Sequence, residues 1–195
     1  MPEKDRRSIR ALMVFFVLWI NGSFYPLILL PLLFTVYYCR ESLSKIGIGT
    51  EKTRGSLILG LLAGLLVLGA YYPVLLLYGG TRAGAIPDVW SIMIDVFWYP
   101  LYEEVSYRGF FLGFFARGNT DFTSYNLGLN LAQALLFASV HHHHVSAGVP
   151  LLLIPVFLLG FFNGLVFLRS RNIMGCIVGH AVVNGTAWLM SILTQ

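Results

Sequence analysis

Long apolar runs separated by short polar stretches set the pattern of this chain. Residues 11–38, 56–78, 88–116, 123–143, 149–168 and 173–194 are predominantly apolar, and each has about the 20 residues that a membrane-crossing helix needs. ESLSKIGIGTEKTRG, GGTRAGAIP, RGNTD, a histidine tract and RSRN divide them. Each run is apolar on nearly all faces, as a lipid-embedded helix should be. Period-two alternation is absent and the runs are long, which argues against strands. The pattern predicts an all-α fold: a polytopic membrane helical bundle of about six apolar segments.

The first run is irregular. Asn21, Gly22, Pro26 and Pro31 interrupt it, and it is too short for two full spans. Basic residues separate two topologies. If every run crosses, Lys4, Arg6, Arg7, Arg10 and Arg82 oppose Arg40, Lys45, Lys52, Arg54, Arg117, Arg169 and Arg171, an uninformative split of five against seven. If 11–38 enters and returns on the same side, eleven lie together against Arg82 alone, with Arg108 set aside as intramembrane. Basic residues concentrate on the cytoplasmic side, which favours a re-entrant first segment with the N-terminus, RGNTD and RSRN in the cytoplasm.

Composition turns the pattern into a class. Hydrophobic residues make up 57% of the 195 and charged residues 11%, less than half the quarter or so usual in soluble domains. Too little polar surface remains to cover a water-soluble globule. That excludes disorder, a disulfide miniprotein and a soluble enzyme of ordinary type. The net charge is +4, but the basic residues lie between apolar runs, and no basic stripe with interleaved aromatics points to nucleic acid. Cys39 and Cys176 have neither metal-like nor disulfide-like spacing. MPEKDRRSIR before ALMVFFVLWI mimics a signal peptide, yet no small-residue cleavage pattern follows cleanly, so the segment is expected to be retained. No internal repeat is evident, and the tract His141–His144 is internal, unlike a terminal tag.

Ionisable residues inside the apolar runs carry the candidate chemistry: Asp95, Glu103, Glu104, Arg108, His141 and His180. Each costs about 2.5–3.5 kcal/mol to place at the centre of a membrane helix, so such groups pair, face a wet cavity or react. Arg108 follows Glu104 by four and shares its helical face, acid before base, the better order for an ion pair. Glu103 is rotated about 100° away and cannot share the same arginine. Pro100, favoured in the first turn of a helix, predicts a break near Tyr99 with both carboxylates close to a positive helix end. An acid held between that end and apolar burial suits general acid–base catalysis; a structural ion-pair cluster fits the same residues.

His141 lies one turn after Phe137, with ring and imidazole stacked on one face, or is an interfacial residue at a helix end. His142, His143 and His144 point elsewhere, and consecutive positions do not converge on one ion; His141 and His144 could share one only on a continued helix. His180 and Asn184 face the same way and could cradle an oxyanion, or join two helices by hydrogen bonding. Gly160, Gly164 and Gly175 read as packing notches, and Asn163 as interhelical. Ser106, Ser139 and Cys176 lack a base at a pairing distance along the chain.

EEVSYR at 103–108, FASVH at 137–141 and HAVVN at 180–184, in this order on three separate helices, resemble the CAAX-protease and bacteriocin-processing (ABI or CPBP) family of intramembrane proteases. The glycine after Arg108 and the Gly160, Gly164, Gly175, His180 spacing are also similar to that family. The likeness covers about 88–194, and the chain looks shorter than the eight-span members, lacking a span after the last motif. The resemblance implies a glutamate-dependent endopeptidase with no cofactor and no metal. Glu103 and His141 would activate a water, His180 and Asn184 would stabilise the oxyanion, and Glu104 and Arg108 would support the site, Glu104 by orienting Arg108 or the base. Residues 1–87 then form N-terminal membrane helices, and 88–195 the catalytic helical core of the same single domain.

The expected substrate is a membrane-anchored or lipidated peptide cut near its C-terminus, met in the bilayer of an integral multi-pass protein, in the cell membrane if the source is prokaryotic. Substrate identity and oligomeric state stay open. A zinc enzyme using Glu103, Glu104, His141 and His180 is one alternative, although no HExxH pair exists. A non-catalytic transporter, immunity protein or partner-binding protein with the same buried charges is another.

Overall fold

A computed structural model describes residues 3–20, 25–78, 88–118 and 122–193. Consecutive helical stretches join into seven helices, and no strand occurs among the described residues. They are α1 (Glu3–Ile20), α2 (25–38), α3 (Thr53–Leu77), α4 (89–115), α5 (Ser124–Ser139), α6 (Leu153–Ser170) and α7 (Met174–Leu193). The apolar runs thus become helices close to their predicted limits. Among the described residues, two helical spans, Thr53–Leu77 and Pro150–Ser170, are long and apolar enough to cross a membrane. α5 has 16 residues, and α4 carries Asp95, Glu103, Glu104 and Arg108 within its length.

The first run folds into a hairpin of α1 and α2. The Arg10 guanidinium, two turns into α1, lies 5.0 Å over the Tyr38 ring at the end of α2. Asn21, Gly22 and Arg82 lie outside the described residues. The same end of the molecule gathers other basic residues. Lys45 Nζ sits 6.0 Å from the centre of the Phe114 ring, the Ile173 N–H donates to the Gly47 carbonyl at 3.1 Å, and Arg171 donates to the Gly118 carbonyl. Asn172 ties this end together, its Nδ2 donating to the Gly49 and Glu51 carbonyls at 2.9 and 3.0 Å.

Small residues let the helices close on one another. A Cβ on Gly60 of α3 would run into the Gly175 carbonyl of α7, and one on Gly64 would come within 2.7 Å of the Gly179 carbonyl. Backbone therefore lies against backbone where α3 crosses α7. Gly160 and Gly164 serve α6 likewise, because a Cβ on either would strike α5 at Ala134 or Asn130. Polar side chains reinforce that contact: Asn130 Nδ2 donates to the Phe161 carbonyl at 3.0 Å and Gln133 Nε2 to the Gly160 carbonyl at 2.8 Å. The notches read from the sequence are packing sites.

The break expected at Pro100 does not occur. Trp98, Tyr99, Glu103 and Glu104 all have right-handed helical backbone, and α4 runs through the proline. A wide π-type turn over Ile94–Trp98 precedes it. Proline disrupts an α-helix through its missing N–H and its clash with the carbonyl four residues back; a π turn lengthens the register there and accommodates both. The two glutamates consequently sit in mid-helix, away from any helix end. A second π-type stretch, Glu104–Leu112, follows after the α-helical segment Tyr99–Glu103 and is buried along its whole length.

Candidate active site

Four helices converge where the apolar interior opens into a cavity of about 780 Å³, whose walls include Glu103, Phe137, His141, His180 and Asn184. α4 contributes the carboxylates. Glu104 and Arg108 are fully buried, and Arg108 Nη1 lies 3.2 Å from Glu104 Oε1, the pair anticipated from their spacing. The approach lacks hydrogen-bond alignment. The guanidinium instead spreads over the Phe137 ring, 4.4 Å from its centre, and Nη2 points to the Leu159 carbonyl at 3.5 Å.

Glu104 Oε1 is the hub of the site. It accepts from Asn163 Nδ2 at 3.0 Å and from His180 Nδ1 at 2.9 Å, besides facing Arg108. Because a carboxylate only accepts, Nδ1 of His180 carries the proton, which turns Nε2 towards Glu103 Oε2 at 3.7 Å. Glu104 thus orients an imidazole. Asn163 is interhelical as expected, donating also to the Cys176 carbonyl at 3.0 Å, but it belongs to the site as well. Its type and its position between Gly160 and Gly164 mark only a buried contact. Nothing in the sequence links it to Glu104, 59 residues earlier.

Glu103 faces the cavity with its side chain 14% exposed. His141 Nε2 approaches its Oε1 at 3.9 Å. The depth mismatch that separate helices could impose on His141 and His180 is absent, since both imidazoles reach this one carboxylate. His141 is placed by a turn following α5, not by a continued helix. Its Nδ1 lies 2.8 Å from the Phe137 carbonyl, an acceptor, so the proton is on Nδ1 and Nε2 offers a lone pair in the neutral ring. The Phe137 ring lies against the imidazole on one face, 4.8 Å away and tilted by 55°.

Asn184 lies one turn beyond His180 on α7 and donates from Nδ2 to the Asp95 carbonyl at 2.7 Å. Trp188, a further turn on, donates from Nε1 to Asp95 Oδ2 at 3.1 Å. Neither Asp95 nor Trp188 belongs to a motif that the sequence singles out. The hydroxyl and thiol groups near the motifs are engaged elsewhere: Ser106, Ser139 and Cys176 donate to the carbonyls of Tyr102, Leu136 and Asn163. The rings of His141, His143 and His144 gather at one wall, but no three His, Cys, Asp or Glu among the described residues are placed to hold one metal ion.

Comparison with known proteins agrees with the motif order. No curated protein and no solved structure matches the chain. The family described as type II CAAX prenyl endopeptidase Rce1-like matches residues 85–186, a span that contains Glu103, Glu104, Arg108, His141, Asn163, His180 and Asn184. With Glu103 of α4, His141 of the turn after α5 and His180 of α7 facing one cavity, this chain belongs to the Rce1-like CAAX endopeptidase family of membrane proteases.

Proposed function

We propose that the protein is a multi-pass intramembrane endopeptidase that hydrolyses a peptide bond near the C-terminus of a membrane-anchored, lipidated substrate. One observation carries the reading: Glu103 Oε1 lies 3.9 Å from His141 Nε2 on the wall of the cavity. That separation is too long for a direct hydrogen bond. A single water about 2.8 Å from each atom would give one hydrogen to the carboxylate and one to the imidazole. Its oxygen lone pair would then face the cavity.

In the proposed reaction the water oxygen bonds to the scissile carbonyl carbon as Glu103 takes its proton. The oxyanion so formed is stabilised by Asn184 and, in its protonated form, by His180 through Nε2–H. Collapse breaks the carbon–nitrogen bond, and Glu103 returns the proton to the leaving amine. Glu104, anchored by Arg108 and Asn163, keeps His180 turned to present Nε2. The hairpin of α1 and α2 and the basic residues gathered at one end support a cytoplasmic location for that end.

The test uses purified full-length protein in lipid nanodiscs with a farnesylated CAAX peptide and a membrane-anchored peptide without the prenyl group. Glu103→Gln and His141→Ala should each lower kcat by about 10²–10⁴-fold while the melting temperature stays close to that of the unaltered protein. A folded Glu103→Gln variant with undiminished cleavage sinks the mechanism. Cleavage lost in chelator and restored by zinc, with metal found in the purified protein, would assign these side chains to a zinc enzyme instead.

A further inference from the structure

α7 presents His180, Asn184 and Trp188 at intervals of four, and all three are held by α4. His180 is held by the Glu104 carboxylate, Asn184 by the Asp95 carbonyl and Trp188 by the Asp95 carboxylate. We propose that Asp95 is a positioning residue for the oxyanion site, and that Pro100 is what makes its carbonyl available to aim the Asn184 amide. This rests on the oxyanion role proposed for Asn184.

The backbone register gives the reason. In the wide turn of α4, the Tyr99 N–H reaches the Ile94 carbonyl, five residues back. Continued by one residue, the same register brings residue 100 to the Asp95 carbonyl. Residue 100 is a proline and has no N–H to donate. Asn184 Nδ2 donates to that carbonyl instead, at 2.7 Å.

The consequence is directional. A primary amide has two N–H bonds fixed in one plane. With one committed to Asp95, the other has a set direction from the cavity wall. A donor fixed before reaction stabilises developing charge without having to reorganise. The bond from Trp188 to Asp95 Oδ2 holds the next turn of α7 to the same residue, which limits rotation of that helix. Pro100 thus removes the backbone donor that would compete with Asn184 for this acceptor.

Kinetics of the full chain in nanodiscs, with a farnesylated CAAX peptide as probe, test this. Asn184→Ala should lower kcat about 10²–10³-fold. Pro100→Ala restores a competing backbone donor and should lower kcat about 10–100-fold with KM unchanged. In the Asn184→Ala background Pro100→Ala should cause no further loss. A Pro100→Ala enzyme with unaltered kcat, or one whose loss persists in full without Asn184, overturns the inference. Undiminished kcat in Asn184→Ala overturns the oxyanion assignment itself. Nuclear magnetic resonance of the unaltered protein, labelled at asparagine, covers a Pro100→Ala variant that fails to fold and needs no substrate. One Asn184 side-chain proton should be shifted downfield from its twin, and two protons at ordinary asparagine positions would overturn the bond to Asp95.

Discussion

Glu103 and Glu104 are neighbours in the chain, yet their surroundings are opposite. Glu104 is enclosed by Arg108, Asn163 and His180, whereas Glu103 looks into the cavity between two imidazoles. Breaking a buried ion pair leaves one charge without compensation, at a cost of about 3–5 kcal/mol, while replacing both partners by neutral groups is often close to neutral. Glu104→Gln should therefore lower the melting temperature in detergent markedly, because Arg108 loses its counter-charge. The double variant Glu104→Gln/Arg108→Met should recover most of that stability. It should not recover activity: without an anion on Nδ1, His180 is no longer oriented, and hydrolysis should stay about 10²-fold down. Recovery of both stability and activity in the double variant would reduce Glu104 to a structural role.

Among elements, α3 and α7 cross backbone against backbone, and that crossing sets the height at which α7 delivers His180 and Asn184. Gly60 has no room for a methyl group because the Gly175 carbonyl lies there, while a Cβ on Gly69 would meet nothing within 4 Å. Overpacking costs about 1–3 kcal/mol, occasionally more. Gly60→Ala should thus be destabilised by at least that much, and should lose activity as α7 is pushed from α4. In contrast, Gly69→Ala exchanges glycine for alanine in an open helical position and should gain about 0.5–1 kcal/mol. Thermal melts of the two variants, measured side by side, check the pair. Equal melting temperatures would show that the crossing yields more easily than two abutting backbones should. α4 is shaped by the opposite principle, since its wide turns admit Pro100 without a break.

At the scale of the whole molecule, the hairpin of α1 and α2 returns the chain to the end that holds Lys45, Arg117 and Arg171. Basic residues concentrate on the cytoplasmic side, so single cysteines introduced at Ser8, Lys45 and Arg169 in a Cys39→Ser/Cys176→Ser background should react with an impermeant thiol reagent from the cytoplasmic face. A cysteine at Ser146, at the end of the short helical turn His143–Ser146 between α5 and α6, should react from the other face. Labelling of Ser8 and Lys45 from opposite faces would remove the re-entrant hairpin. Large apolar side chains such as Leu62 and Leu66 on α3 are more than half exposed, as expected of a surface that meets lipid.

Helical class, approximate helix limits, the Glu104–Arg108 pair and the grouping of Glu103, His141, His180 and Asn184 as candidates were legible in the sequence. Each rests on a local rule: apolar run length, four-residue spacing, the rarity of charge in apolar segments, or motif order. The passage of α4 through Pro100, the hub role of Glu104 Oε1, the entry of Asn163 into the site and the grip of Asp95 on Asn184 were not. The last three depend on contacts between residues far apart in the chain, such as 104 with 180 and 95 with 184. Spacing along one helix fixes which side chains share a face, but the depth and rotation of one helix against another follow from how closely their backbones can pack. Here glycine crossings and a proline-bearing wide turn set those two quantities, and only the folded bundle expresses them.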